Sequence, residues 1–360
     1  MEQFGFTKST AMARIHTIVA IIVTVIVVFF VAASPSRAEE NIWTEQFRIC
    51  NDISGHVTVD ACSALISSGG ISHLNLSRAY INRGRAFLLL GDQANALNDF
   101  EHAIETSPEY EMGFSFRGQL YLARGDNDRA LTDFERALTL NPNYAFGYLW
   151  RGQAHLNLYQ YDQALRDFDH LIALNPKYEG GYLGRGTAQM NLGHYDQAIT
   201  DLDRFISLKP QRSDGYYVRG FTYEHKGNHV RAIADYDKAI TLSPNSAEIL
   251  NSRCFARAEA DVDLAMALTD CNKALELRPD DAGILDSRGL VELREGRYDD
   301  AIRDYDAAIA KQPDLAPSIY GRGIAKLRKG DTAGGNTDLA AAIAKDPNMQ
   351  ATFAGYGLRP

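Results

Sequence analysis

Few side chains in this 360-residue sequence are spaced for catalysis. Its nine histidines fall singly, and none stands in a His-x-x-Glu-His or Glu-x-x-His run that would set metal ligands on one helix face. There is no glycine-rich phosphate loop, nucleophile elbow or Cys-x-x-Cys pair, and Ser68-Gly69-Gly70 reads as a plain loop. His155, His194 and His225 read as solvated or turn residues. Acid–base chemistry would need two carboxylates converging in a pocket, and the spacing gives no sign of that. The expectation is a chain without catalytic residues, metal or cofactor. What the residues do support is ion pairing. Arginine recurs at Arg83, Arg117, Arg151, Arg185, Arg219, Arg253, Arg288 and Arg322, and aspartate at Asp99, Asp133, Asp167, Asp201, Asp235, Asp270, Asp304 and Asp338. A partly buried arginine requires a carboxylate beside it, so these are expected to form a structural ladder in which Arg117, for instance, meets Asp99 or Asp133. The alternative is an arginine stripe open to anions.

The elements that must position these residues follow one rhythm. Arg-Gly falls at Arg83-Gly84, Arg117-Gly118, Arg151-Gly152, Arg185-Gly186 and Arg219-Gly220, each 34 residues after the last, and resumes at Arg288-Gly289 and Arg322-Gly323. Proline keeps the same beat from Pro108 to Pro347. A fixed period of this length means stacked supersecondary units whose stability is a sum of repeat and neighbour terms. In residues 145–178, Gly152 and Ala164 are small residues on two helical stretches separated by a turn near Tyr159-Gln160. Phe168 lies on the face of Ala164, and Asn175-Pro176 ends the second helix. Other repeats mark the turn with Gly91, Gly125, Gly193, Gly227, Gly296 or Gly330.

An aromatic stands four residues before the glycine at Tyr80, Phe114, Tyr148, Tyr182 and Tyr216. A small residue opens the second helix from Ala96 to Ala301. A large residue follows at Phe100, Phe134, Phe168, Leu202, Tyr236 and Tyr305. This pattern resembles the tetratricopeptide repeat. The Arg-Gly dialect and the run from Ser318 to Asp331 look like exported repeat proteins of alpha-proteobacteria. The resemblance implies an all-α, right-handed α-solenoid of about eight helix–turn–helix repeats over residues 77–349. A half-repeat cap is expected over 39–76 and a C-terminal tail over 350–360. It also implies a concave groove for a protein partner. The slots facing it hold Asn82, Arg85, Phe116, Gln119, Trp150, Gln153 and Asn157, then Tyr217, Phe221, His225, Asn251, Phe255, Asp286, Tyr320 and Arg328. Phe116, Trp150, Tyr217 and Phe255 are the expected apolar anchors, with Gln119, Gln153 and Asn251 holding backbone groups; about half of the aromatics are expected to pack between repeats instead. The two-carboxylate clamp of chaperone-binding relatives is not carried over, because Ile81 and Arg85 occupy its lysine and asparagine slots. The chain departs from the pattern at Cys254 and Cys271, which replace a glycine and an aromatic, and at Gly334-Gly335, which weaken a terminal helix.

The N-terminus reads as a targeting segment. Lys8 and Arg14 precede an apolar run from Ile18 to Ala33, and Ser36-Arg37-Ala38 suits cleavage before Glu39. Residues 1–38 are expected to be a signal peptide or, if uncut, an inner-membrane anchor. Both place the repeats outside the cytoplasm, in the periplasm or secreted. Four cysteines in an exported chain are expected to pair as Cys50–Cys62 and Cys254–Cys271, with buried free thiols the alternative for the second pair. The net charge is −9, and residues 39–360 alone carry −11, because Glu2 opposes Lys8, Arg14 and Arg37 in the leader. An acidic body argues against nucleic-acid binding. The expected function is a non-enzymatic periplasmic scaffold for a protein partner. Carbohydrate or cell-wall binding is the runner-up, and a membrane-tethered assembly factor the third reading.

Overall fold

The computed structural model of the protein describes residues 44–52 and 55–360. The leader expected over residues 1–38 lies outside them. Among the described residues there are nineteen α-helices and no strands. No helix among them is long and apolar enough to cross a membrane. The chain divides into two compact units at Leu192/Gly193.

The first unit holds α1 (Thr44–Asn51), α2 (His56–Ser68), α3 (His73–Leu89), α4 (Gln93–Thr106), α5 (Glu111–Ala123), α6 (Asn127–Leu140), α7 (Ala145–Asn157), α8 (Tyr161–Leu174) and α9 (Glu179–Asn191). Consecutive helices pack as neighbours. The second unit holds α10 (Tyr195–Leu208), α11 (Ser213–His225), α12 (His229–Leu242), α13 (Ala247–Ala260), α14 (Leu264–Leu277), α15 (Ala282–Arg294), α16 (Tyr298–Lys311), α17 (Ala316–Lys329), α18 (Thr332–Lys345) and α19 (Met349–Gly355). It is built by the same succession of neighbours. Each unit is an α-solenoid.

Local chemistry sets the helix bounds. Asp92, Asp126, Asn228 and Asp331 cap second helices by accepting the backbone N–H three residues on. Pro142 and Pro176 follow the asparagines that close α6 and α8 and cannot continue a helix. The tight turn before each second helix needs a left-handed residue. Glycine supplies it at Gly91 and Gly125, but Tyr159 takes φ 60° in the turn before α8.

The two helices of most repeats share one recurring close contact. A Cβ added to Gly118 would lie 2.8 Å from the Phe134 ring, and one added to Gly84 2.6 Å from Phe100. Gly220 and Gly289 meet Tyr236 and Tyr305 at 2.9 Å in the same way. Only a residue without a side chain lets the ring sit against the opposite backbone. Cys254 and Cys271 occupy these two slots in their repeat and are bonded to each other. The disulfide therefore fills the space that glycine and ring share elsewhere. Cys50 and Cys62 are likewise bonded, joining α1 to α2, and both are buried.

The same closeness builds the ladder. Asp133 takes Arg117 at 2.8 Å, within the same repeat, so of the two expected partners the structure selects Asp133. Matching pairs are Arg83–Asp99 (2.7 Å), Arg151–Asp167 (2.6 Å), Arg219–Asp235 (2.7 Å), Arg253–Asp270 (2.6 Å), Arg288–Asp304 (2.5 Å) and Arg322–Asp338 (2.7 Å). Most are bidentate through Nε and Nη2. Nη1 then reaches the second helix of the preceding repeat, from Arg219 to Asp203 (2.5 Å), Arg253 to Asp237 (2.6 Å) and Arg322 to Asp306 (2.6 Å). One guanidinium thus ties three helices. Arg185 makes this backward contact to Asp169 at 2.7 Å within the first unit; its expected partner Asp201 belongs to the second.

The sequence reading of residues 350–360 as a tail is corrected. Residues 350–355 complete α19, residues 356–360 lie beyond its end, and Met349, Phe353 and Leu358 are buried. The described part of the N-terminal cap is a two-helix hairpin, and α3, the helix that opens the first repeat, begins at His73.

Two substitutions test this construction. Gly118→Ala should lower stability by about 1–3 kcal/mol despite alanine's better helix propensity, because the methyl group collides with Phe134. A urea midpoint equal to or above wild type would contradict it. Asp133→Ala should cost about 2 kcal/mol or more by leaving Arg117 half-buried without its charge partner; the same denaturation curve reads it.

Candidate functional site

The first-helix residues expected to face a groove divide sharply by burial. In the second unit, Tyr217, Phe221 and Tyr320 are 2 %, 1 % and 1 % exposed. Tyr217 and Phe221 are core rings, so the expectation that they present themselves to a partner is corrected, and Tyr320 is sealed by α19. The reason is packing: Tyr217 lies 6.0 Å from Tyr236 and 6.4 Å from Phe221, and Tyr320 lies 4.8 Å from Phe353. Phe255 is covered by Tyr356, edge-on at 6.2 Å. Asn251 is buried, and its Oδ1 has no hydrogen-bond partner among the described residues. In the first unit Trp150 is buried among Phe134, Leu149, Phe168 and their neighbours. Gln153 is buried and donates to Asn157 Oδ1 at 3.2 Å, so both are engaged within the fold. Asn82 donates to Asn51 Oδ1 of the cap hairpin at 2.8 Å.

Among the expected apolar anchors, Phe116 on α5 stays half-exposed, with Arg85 on α3 beside it and Tyr144 just before α7; in the second unit His225 and Asp286 are half-exposed and Arg328 is exposed. Phe116 stacks on Phe100 at 5.9 Å, and the Arg85 guanidinium sits 4.9 Å above the Phe116 ring. Beside them Tyr144 and Gln119 both donate to Ser115 Oγ, at 3.1 and 3.3 Å. Burial pushes Arg85 down to about 10 and Tyr144 up to about 12, so both charged forms are disfavoured by loss of water. No carboxylate among the described residues pairs with Arg85. That sets it apart from the ladder arginines; the sequence placed Arg85 among the groove slots but did not show that it lacks an acid. Spacing could not, because Arg85 and Arg83 are two residues apart on one helix and differ only in which face each occupies.

The second unit gathers acids beside its rings. Tyr236 donates to Glu224 Oε2 at 2.8 Å, and Tyr217 donates to Glu248 Oε1 at 3.2 Å. Both glutamates are 8 % exposed. Held this way, they serve as acceptors for the fold. Glu292 on α15 accepts from Arg297 at 3.4 Å. Burial, and then the charge of Asp304, push its pKa up to about 7. Among the described residues no group of His, Cys, Asp and Glu could hold a metal ion.

Helix pairs repeated on one period, with a recurring glycine–ring contact and a recurring arginine rung, define a helical-repeat protein. Profiles of the tetratricopeptide repeat match residues 77–110, 118–158, 183–247 and 258–316, together more than half of the chain. The chain belongs to the tetratricopeptide repeat family. Among solved structures it is similar to a tetratricopeptide repeat protein from Parabacteroides merdae ATCC 43184, with 23 % identity and a TM-score of 0.54 over 69 % of this chain and 96 % of that one. It is also similar to the APC/C hetero-tetramer Cut9-Hcn1, with 17 % identity and a TM-score of 0.59 over 89 % of this chain and 63 % of that one. At these identities the likeness is one of fold. No curated protein sequence matches the chain.

The elevated pKa of Glu292 has a measurable consequence. A glutamate in the unfolded chain titrates near about 4.3, so between roughly pH 4.3 and 7 the folded state holds a proton that the unfolded state has released. Stability from this group is therefore lost as pH rises through that window. Glu292→Gln should melt above wild type at pH 8 and with it at pH 4. A constant difference across that range would mean that Glu292 is not the responsible group.

Proposed function

We propose that this protein is a non-enzymatic scaffold that holds an extended segment of a protein partner on the first-helix face of its first unit, where Arg85 pairs with a carboxylate of that segment. Family and fold support a protein–protein interaction role. The observation that carries the finer reading is the contrast among arginines. Seven of them sit half-buried against an aspartate within their own repeat. Arg85 is desolvated too, yet it has only the face of Phe116 beneath it. A guanidinium that has lost part of its water and has no counter-charge is costly to the fold, and an arriving carboxylate would offset that cost. Phe116 supplies the adjoining apolar contact, and Ser115, Gln119 and Tyr144 form a tied polar floor.

We place the protein outside the cytoplasm, in the periplasm. Two observations support this: the basic start and apolar run of residues 1–38, and the two cysteine pairs at bonding distance, which suit an oxidising compartment. Retention of the apolar run would instead tether the repeats to the membrane, and sequencing the mature N-terminus separates the two.

Arg85→Met tests the site. It should keep or slightly raise the melting temperature, because methionine fills the same space over Phe116 without a buried charge. Capture of partners from a periplasmic extract should fall by about tenfold or more, the effect of removing one member of a desolvated ion pair. Undiminished capture by the variant would end the reading.

A further inference from the structure

The C-terminal segment carries a second inference. A helix that merely closed the last repeat would need to cover only α17 and α18. The segment after Asn348 goes further, back along the first helices of three repeats. Phe353 packs on Tyr320 of α17 at 4.8 Å. Arg328 of α17 donates to the Arg359 carbonyl at 3.0 Å. Arg294 of α15 donates to the Tyr356 carbonyl. The Tyr356 ring meets Phe255 of α13 edge-on at 6.2 Å, and its hydroxyl lies against Glu259 of the same helix. Leu358 is 9 % exposed and joins the same apolar cluster as Phe255, Tyr320 and Ile324. Gly357, at φ 75°, makes this return possible: its N–H bonds Ala354 O at 3.0 Å, and the N–H of Leu358 bonds Phe353 O at 2.9 Å.

Side chains that fill apolar pockets while arginines take backbone carbonyls are the means by which a groove holds a peptide. We infer that residues 349–360 are an internal ligand: they occupy a peptide site on the first-helix face of the second unit, and an outside segment binds there by displacing them. The occupant defines the ligand class. It presents Phe353-x-x-Tyr356-x-Leu358 on a backbone whose only charged side chain is Arg359. The surroundings agree: Glu259 bonds the Tyr356 hydroxyl, and its charge with those of Asp286 and Glu224 pushes Tyr356 up, so the same carboxylates would repel an acidic segment. The partner is thus an aromatic, neutral-to-basic segment, different in charge from the one proposed for Arg85. This rests on the scaffold reading only in its premise that first-helix faces bind chain segments.

The experiment is a titration of a fluorescein-labelled synthetic peptide of residues 347–360, read by anisotropy. Three proteins are compared: the intact chain, a chain ending at Asn348, and an intact chain carrying Phe353→Ala and Tyr356→Ala. The shortened chain should bind the peptide, and the intact chain at least tenfold more weakly. The double variant should regain most of the affinity, because its own segment no longer competes. A peptide carrying the same two alanines should bind none of them. If the shortened chain does not fold, the double variant decides alone. No binding to a folded, vacated surface would overturn the inference and leave the segment a plain cap. Equal binding to intact and shortened chains would overturn it as well. The readout involves only the second unit, so its failure leaves the Arg85 reading standing, and loss of the Arg85 reading leaves this one.

Discussion

Close approach of two helices at one glycine is the constraint on which each repeat depends. Phe134 can lie flat against α5 only because Gly118 has no side chain, and the same holds for Phe100 with Gly84 and Tyr305 with Gly289. The disulfide between Cys254 and Cys271 takes both slots of this contact in its repeat. Two small sulfur-bearing residues make it by a covalent bond where the others make it by ring-on-backbone packing. Everything else in the repeat follows from the separation. An arginine next to the glycine is near enough to grip the aspartate opposite, and long enough to reach the helix of the preceding repeat as well.

The ladder also explains which charges are available for anything else. A guanidinium committed to two carboxylates has no capacity left for a partner. Arg85 differs because its slot on α3 turns it away from α4 and toward α5, where it finds a ring and not an acid. Glu292 is the acidic counterpart, desolvated and pressed by Asp304, with one modest bond to Arg297. Both are departures from an otherwise paired interior, and local disagreement of this kind concentrates where a chain does more than fold. The two units consequently offer unlike surfaces. The first leaves a cationic, aromatic patch half-open, whereas the second carries buried acids and rings under its own C-terminal segment.

Much of this was legible without coordinates. The period gave the helix pairs, the small-then-large spacing gave the packed face, and the cysteines at glycine and ring slots pointed to each other. The arginine–aspartate pairing was visible as a matched count, but its geometry was not: Asp99 and Asp133 were equal candidates for Arg117 until the helices were placed. The backward contacts to Asp203, Asp237 and Asp306 were missed, although an aspartate two residues after Asp201, Asp235 and Asp304 was a signal for them. The groove slots fared unevenly. Counting from the glycine finds the right helix face, yet it cannot tell Phe116, half-exposed, from Tyr320, sealed beneath Phe353.

The sequence by itself determined what repeats: helix, turn, helix, and the residue types that let neighbours touch. Those features act over a few positions, and a periodic pattern states them many times over. Only the tertiary structure decided what does not repeat. Which arginine is left without an acid depends on three helices meeting. So does the path of residues 349–360 across α17, α15 and α13, because burial is a property of what lies on top of a residue and the chain does not write that beside it.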